Sequence, residues 1–264
     1  GMSDARFAKR YKEYKKLLAN SPIQQHGSEY QKESLLKSID NAHRLLSSPK
    51  ARKAFDLSLE SKESYETYKV GGRFGLGCLL AKRLTEAGAR FIEVTHGYYP
   101  FKYWDTHDNG HTRMRELKAM IDAPIAQLVL DLEKSNLLDR TLIVVASEFS
   151  RDMMMEGKPE KRVKDQVNVP TRIDGLQHYG MHRHFTGAGS VLLFGGGIKK
   201  GFVYGETADE RPCTTIKDPI NTQQLHSTIY RALGSPHDHH YNVEQRPFYV
   251  TPDGVTEPVM DLFG

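Results

Sequence analysis

The sequence predicts an α/β fold: a largely parallel sheet flanked by helices, preceded by an N-terminal helical segment. Three observations predict it. Residues 4–19, 28–46 and 112–135 carry apolar side chains at three- and four-residue spacing, as helices with one buried face do. Residues 91–95, 141–146 and 189–194 are short apolar runs, and 141–146 is continuous enough for a parallel strand buried on both faces. After residue 70 the helical and strand patterns alternate, which is a layered α/β arrangement. The division drawn is a helical segment over 1–70 and an α/β domain over 71–264, read as part of a longer protein.

Taken in order, Phe7, Tyr11, Tyr14 and Leu17/Leu18 line one side of the first helix, and its other side is basic. Ser21-Pro22 ends it, and Ser47-Ser48-Pro49 starts a short third helix. The glycine-rich stretch Gly71 to Gly77 has no strand before it and no Lys-Ser/Thr ending, so it is not a phosphate-binding loop. A helix over 76–87 stopped by Gly88 is the expected reading. Pro124 is expected to kink or divide the helix that contains it. Residues 152–181 form a long insertion that delivers His178, His182 and His184. Gly195-Gly196-Gly197 is a tight turn, 202–205 a small strand or hairpin, 221–233 a helix capped by Asn221 or Thr222, and the stretch containing Pro252-Asp253-Gly254 a terminal hairpin.

Composition excludes several classes. Lys and Arg number 37 against 33 Asp and Glu, for a net charge of +4, with the signs interspersed and the Lys-rich part confined to the first fifty residues. That balance does not describe a nucleic-acid-binding protein. No apolar run approaches the ~18 residues a membrane span needs. Cys78 and Cys213 are too few for a disulfide framework or a cysteine zinc site. Gly1 before Met2 reads as a scar left by a cleaved tag.

The chemistry gathers at Tyr103 to His111. Asp105 and His107 alternate, so an extended chain points both to one side, and His107 and His111 would share one face of a helix. The stretch follows the apolar run 91–95, and polar residues beyond a strand's C-terminal end are where open α/β sheets bind ligands. A second polar cluster, Ser147-Glu148-Phe149-Ser150-Arg151, follows the run 141–146. Turn-forming Asp, Asn, Gly and Thr could equally make the first stretch a plain surface turn, and Glu148 with Arg151 a local ion pair. His226, within a helix beside apolar residues, reads as a hydrogen-bonded core histidine, and His237, His239 and His240 as a surface loop.

Trp104-Asp105-Thr106-His107 with Asn109, the Ser147–Arg151 cluster, Arg183-His184 ahead of Gly195-Gly196-Gly197, Leu225-His226-Ser227-Thr228-Ile229 and Gln245-Arg246-Pro247 together resemble one family. It is a sulfatase-like bacterial family, itself largely uncharacterised, in the alkaline phosphatase superfamily. The resemblance covers roughly residues 70–264. It implies an alkaline-phosphatase-like fold and an exported or periplasmic protein. It also implies a divalent ion such as zinc, held by Asp105, His107, His111 and His184, with Glu148 and Arg151 as catalytic groups. The departures are specific. Phe149 stands where active members carry a metal-binding His, and no strand followed by a matching Ser, Thr or Cys nucleophile is seen ahead of residue 70.

Three functional readings follow. The first is a metal-dependent hydrolase of phosphate or sulfate esters, acting on a small anionic ester or a sulfated or phosphorylated sugar, with its catalytic set either complete or lacking the nucleophile. The second is a non-catalytic protein that binds anionic ligands or sugars on the same fold. The third is a structural subunit whose basic helices dock a partner. Fold alone does not choose among them.

Overall fold

The computed structural model describes residues 3–97, 99, 103–106, 109–151, 175–176, 184–210 and 213–264. The N-terminal helices follow their sequence signals closely. Helix α1 (Asp4–Ala19) starts at Ser3, whose side chain accepts from the backbone N–H of Arg6. Pro22 opens the short α2 (Pro22–His26), and α3 (Glu29–Ser47) begins in a Ser28/Gln31 capping box. Ser48 caps α4 (Pro49–Phe55). Phe7 and Tyr11 of α1 stack on His43 of α3 at centroid distances of 5.5 and 4.0 Å.

Three further helices form the hydrophobic centre: α5 (Lys62–Lys69), α6 (Gly72–Glu86) and α7 (Gly110–Lys134). Helix α5 carried no clear sequence signal, being eight residues long and strongly polar. Helix α6 starts at Gly72, so most of the glycine-rich stretch is helical. A Cβ on Gly75 would collide with the Tyr68 carbonyl oxygen, and one on Gly71 with the Pro124 ring. These glycines therefore permit close approach of three helices. Helix α7 runs through Pro124 without division; the buried ring lies where Gly71 and Gly75 leave room.

Tyr68, Cys78, Leu79, Leu128, Leu132 and Leu138 make the buried core, joined by half-buried Val94 and Ile143 from the segments that follow. The core thus unites residues on both sides of position 70. Burial raises the Cys78 thiol to about 11, which keeps it protonated and inert. At the edge of this core lies a charge network. Lys82 Nζ sits 3.6 Å from both Glu60 and Asp131, and Arg83 pairs with Glu60. Asp131 accepts from the Tyr68 hydroxyl at 2.9 Å and from Gln127 at 2.7 Å. Arg83 also donates to the carbonyls of Lys53 and Ala54, tying in α4.

The sheet differs from expectation. Among the described residues every strand pairing is antiparallel and two-stranded. Strand β1 (Ile143–Val145) pairs with β4 (Leu192–Phe194), and β2 (Ser150–Arg151) with β3 (His184–Phe185). Strand β5 (Glu206–Thr207) pairs with β6 (Thr215–Lys217), and β7 (His240–Val243) with β8 (Arg246–Tyr249). The chain is mixed helix and strand, but the described residues do not form a large parallel sheet. The run 91–95 is extended without a ladder. Ile92, Val94 and His96 turn inward while Phe91 is 86% exposed. An apolar run specifies burial and not the direction of its strand neighbour, which is why the sequence pattern misled.

Other details also shift. Residues 202–205 form no strand, and the C-terminal hairpin turns at Glu244-Gln245, both at positive φ, as a two-residue hairpin turn requires. Pro252–Gly254 is instead a 3-10 turn. Helix α8 (Thr222–Ala232) has the expected Asn221 cap, with Gln224 completing a capping box. His226 is exposed on it, whereas Ser227 and Thr228 are buried, so the core-histidine expectation fails. Among the described residues no helix is long and apolar enough to cross a membrane.

Two stability predictions follow from this packing. Gly195 has φ 71°, and a Cβ there would collide with the carbonyl oxygens of Leu138 and Thr141; at Gly197, with φ 82°, the nearest atom would be 3.9 Å away. Gly197→Ala is expected to cost about 1 kcal/mol of backbone strain and Gly195→Ala clearly more, read as urea midpoints; equal costs would contradict the turn geometry. The second concerns acid. Burial alone would raise the Glu60 carboxyl, but hydrogen bonds from Arg83 and Ser64 and the charges of Lys82 and Arg83 outweigh it and hold it below its usual value. A carboxyl lowered by folding stabilises the protein above its unfolded value, near pH 4.3, and that stability disappears as pH falls further. Glu60→Gln is expected to flatten the loss of stability in this acid window while lowering stability at neutral pH.

Candidate functional site

The first polar cluster sits where the extended segment 91–97 gives way to α7. Gly97 (φ 59°) turns the chain, and a Cβ on it would stand 3.1 Å from the Tyr103 ring. Tyr103 and Asn109 also adopt positive φ, at 52° and 49°. Between them Thr106 is 1% exposed, and its N–H donates to the Trp104 carbonyl at 2.9 Å. The anchor of the stretch is a side-chain hydrogen bond: Trp104 Nε1–H donates to His96 Nδ1 at 2.6 Å. The His96 ring meets Phe74, Tyr103 and Trp104 edge-on, at centroid distances of 5.2, 6.4 and 5.6 Å. Burial lowers the pKa of its imidazole below the ordinary value of 6.5.

Of the proposed ligands here, Asp105 is half-buried directly after Trp104, and His111 is exposed in the first turn of α7. His107 lies outside the described residues. The second cluster is built on the β2/β3 pair. Arg151 stands opposite His184 in the ladder and Ser150 opposite Phe185. The His184 ring stacks on Phe149 at 4.0 Å with an interplanar angle of 30°, so Phe149 serves as a platform for this His. Glu148, one residue earlier, is exposed.

The structure therefore brings Phe149, Arg151 and His184 together, joining two motifs more than thirty residues apart. It does not, within the described residues, bring three His, Cys, Asp or Glu side chains close enough to hold an ion. Asp105, His111 and His184 alone do not make the expected centre, and His178 and His182 fall outside the described residues. The C-terminal histidines make ring contacts instead: His239 with Tyr241 and His240 with Tyr249, each at 5.0 Å.

His96 is the residue that sequence reasoning passed over. A signal was available, since the alternation Ile92, Val94, His96 puts the imidazole on the inward side of the extended segment. Its partner Trp104 is eight residues on, and no local period links the two.

In comparison with known proteins, a family model described as "Protein of unknown function (DUF1501)" matches residues 1–262. No curated protein and no solved structure matches.

Proposed function

The chain belongs to the DUF1501 family over nearly its whole length, and we propose that it is a sulfatase-like hydrolase of phosphate or sulfate esters that depends on a divalent ion. The observation that supports this reading is the β2/β3 register, which sets Arg151 opposite His184 and so unites two of the motifs expected to share a site. Asp105 and His107 would supply ligands from the loop before α7, with His111 at the helix start and His184 from β3. The described members of this set do not converge by themselves, so no chemical step is assigned through the ion. When bound, a divalent ion would polarise a phosphoryl or sulfuryl oxygen. The roles of the chain's own groups can be stated without it. Arg151 would pair with an anionic oxygen of the ester in bidentate fashion. Glu148, exposed three residues before it in the chain, would exchange protons with water or the leaving group. Small anionic esters, including those on sugars, are the proposed substrates, and export to the periplasm is the proposed location.

The test is elemental analysis of the full chain after zinc supplementation. Wild type is expected to retain near-stoichiometric ion, and the double variant His107→Ala/His184→Ala to lose it. Arg151→Ala should retain the ion while losing hydrolysis of aryl phosphates and sulfates. A supplemented wild type without bound ion would overturn the metal reading and leave anion binding without catalysis as the function to test.

A further inference from the structure

His96 lies outside every motif that suggested a function, yet it makes the one side-chain hydrogen bond described for Trp104. An indole N–H can only donate. At 2.6 Å from Trp104 Nε1, His96 Nδ1 must therefore present a lone pair, which puts the ring proton on Nε2. The surrounding contacts fix the ring in that role. Phe74 of α6 meets it edge-on from the core, and Tyr103 and Trp104 from the loop. Of these three neighbours only Tyr103 is titratable. Gly97, directly after His96, lets the chain double back so that Tyr103 packs close to the turn.

We propose that His96 is a positioning residue for the loop that carries Asp105: its neutral imidazole accepts from Trp104 and so holds Trp104, Asp105 and Thr106 against α6. The inference rests on reading Tyr103 to His111 as part of the functional site. It adds a condition on that site, because proton uptake at Nδ1 would set two N–H donors face to face and break the anchor. Burial of the ring disfavours that uptake at neutral pH. The sign is definite. A histidine whose pKa falls on folding contributes stability above its unfolded value, near pH 6.5, and loses that contribution as pH drops toward the folded value. This window lies above the one set by Glu60.

Trp104 is the sole tryptophan of the chain, so its fluorescence reads the anchor directly. The experiment is an emission titration of the full chain from neutral to acid pH, with far-ultraviolet circular dichroism followed in parallel. Emission is expected to stay constant above about pH 6.5 and to shift to the red below it, before helix content changes. His96→Asn offers an amide oxygen near the Nδ1 position that does not titrate, and should abolish the transition. His96→Phe keeps a ring but no acceptor, and should be red-shifted at every pH. Wild-type emission that stays flat until the helices melt would overturn the proposal, and so would an unchanged transition in His96→Asn. The wild-type arm decides alone if either variant fails to fold. No metal or substrate enters the measurement, so its failure is distinct from failure of the hydrolase reading.

Discussion

Lys82 is the charge on which the helical core turns. It lies 3.6 Å from Glu60, ahead of α5, and 3.6 Å from Asp131 on α7. Two carboxylates brought to one amine are a stable arrangement only while the amine is there; without it they repel across a partly desolvated gap. Arg83 adds a second cation, so charge balances within the group. The Tyr68 hydroxyl donates to one oxygen of Asp131 and Gln127 to the other. Burial and then Asp131 push the Tyr68 phenol above its ordinary range, so it remains a donor at any ordinary pH. The network also fixes how α5, α6 and α7 meet. Apolar packing of Tyr68, Leu79, Leu128 and Leu132 is non-directional, whereas hydrogen-bonded charges tolerate little displacement.

The first polar cluster of the candidate site hangs from that framework. Val94 packs on the core and carries His96 with it on the same side of the extended segment. Phe74, from the first turn of α6, closes on the imidazole. Helix α7, held at Asp131 near its far end, presents His111 and the loop before it at its start. The loop is thus placed by helix packing and by one indole–imidazole bond. A sheet edge, expected to supply this placement, has no part in it among the described residues.

How much of this the sequence disclosed depends on the range of the interaction. Caps and stops are local, and Ser28, Asn221 and Gly234 behaved as their neighbours implied. Amphipathic faces of sixteen or more residues, as in α1 and α3, outvote local ambiguity. Helix α5 was missed because its buried residue, Tyr68, sits among Lys, Glu and Ser. The glycines of 71–77 open α6, and their helix-packing role depends on Pro124, some fifty residues away. Strand direction was misjudged because a three-residue apolar strand such as β1 carries no mark of its partner's sense. At the site, Phe149 was visible as a departure from a metal-binding pattern. Its stacking on His184 was not, because that contact crosses the whole 152–181 insertion.

The two halves of the candidate site are held with unequal stiffness, and this bears on what a ligand must do there. The Trp104 to Thr106 stretch is tied to the helical core through His96 and contains a residue almost wholly buried. Arg151 and His184 rest on strands of two residues each, in a ladder too short to be stable by itself in water. Any group bound across both would spend part of its binding free energy on ordering the β2/β3 side, because ordering side chains and loops costs affinity. Ligand affinity should therefore be governed by the weaker half, while the pH at which the site is lost is governed by the stiffer one, through His96. The two are separable in principle: changes at Phe149 act on the first and changes at His96 on the second.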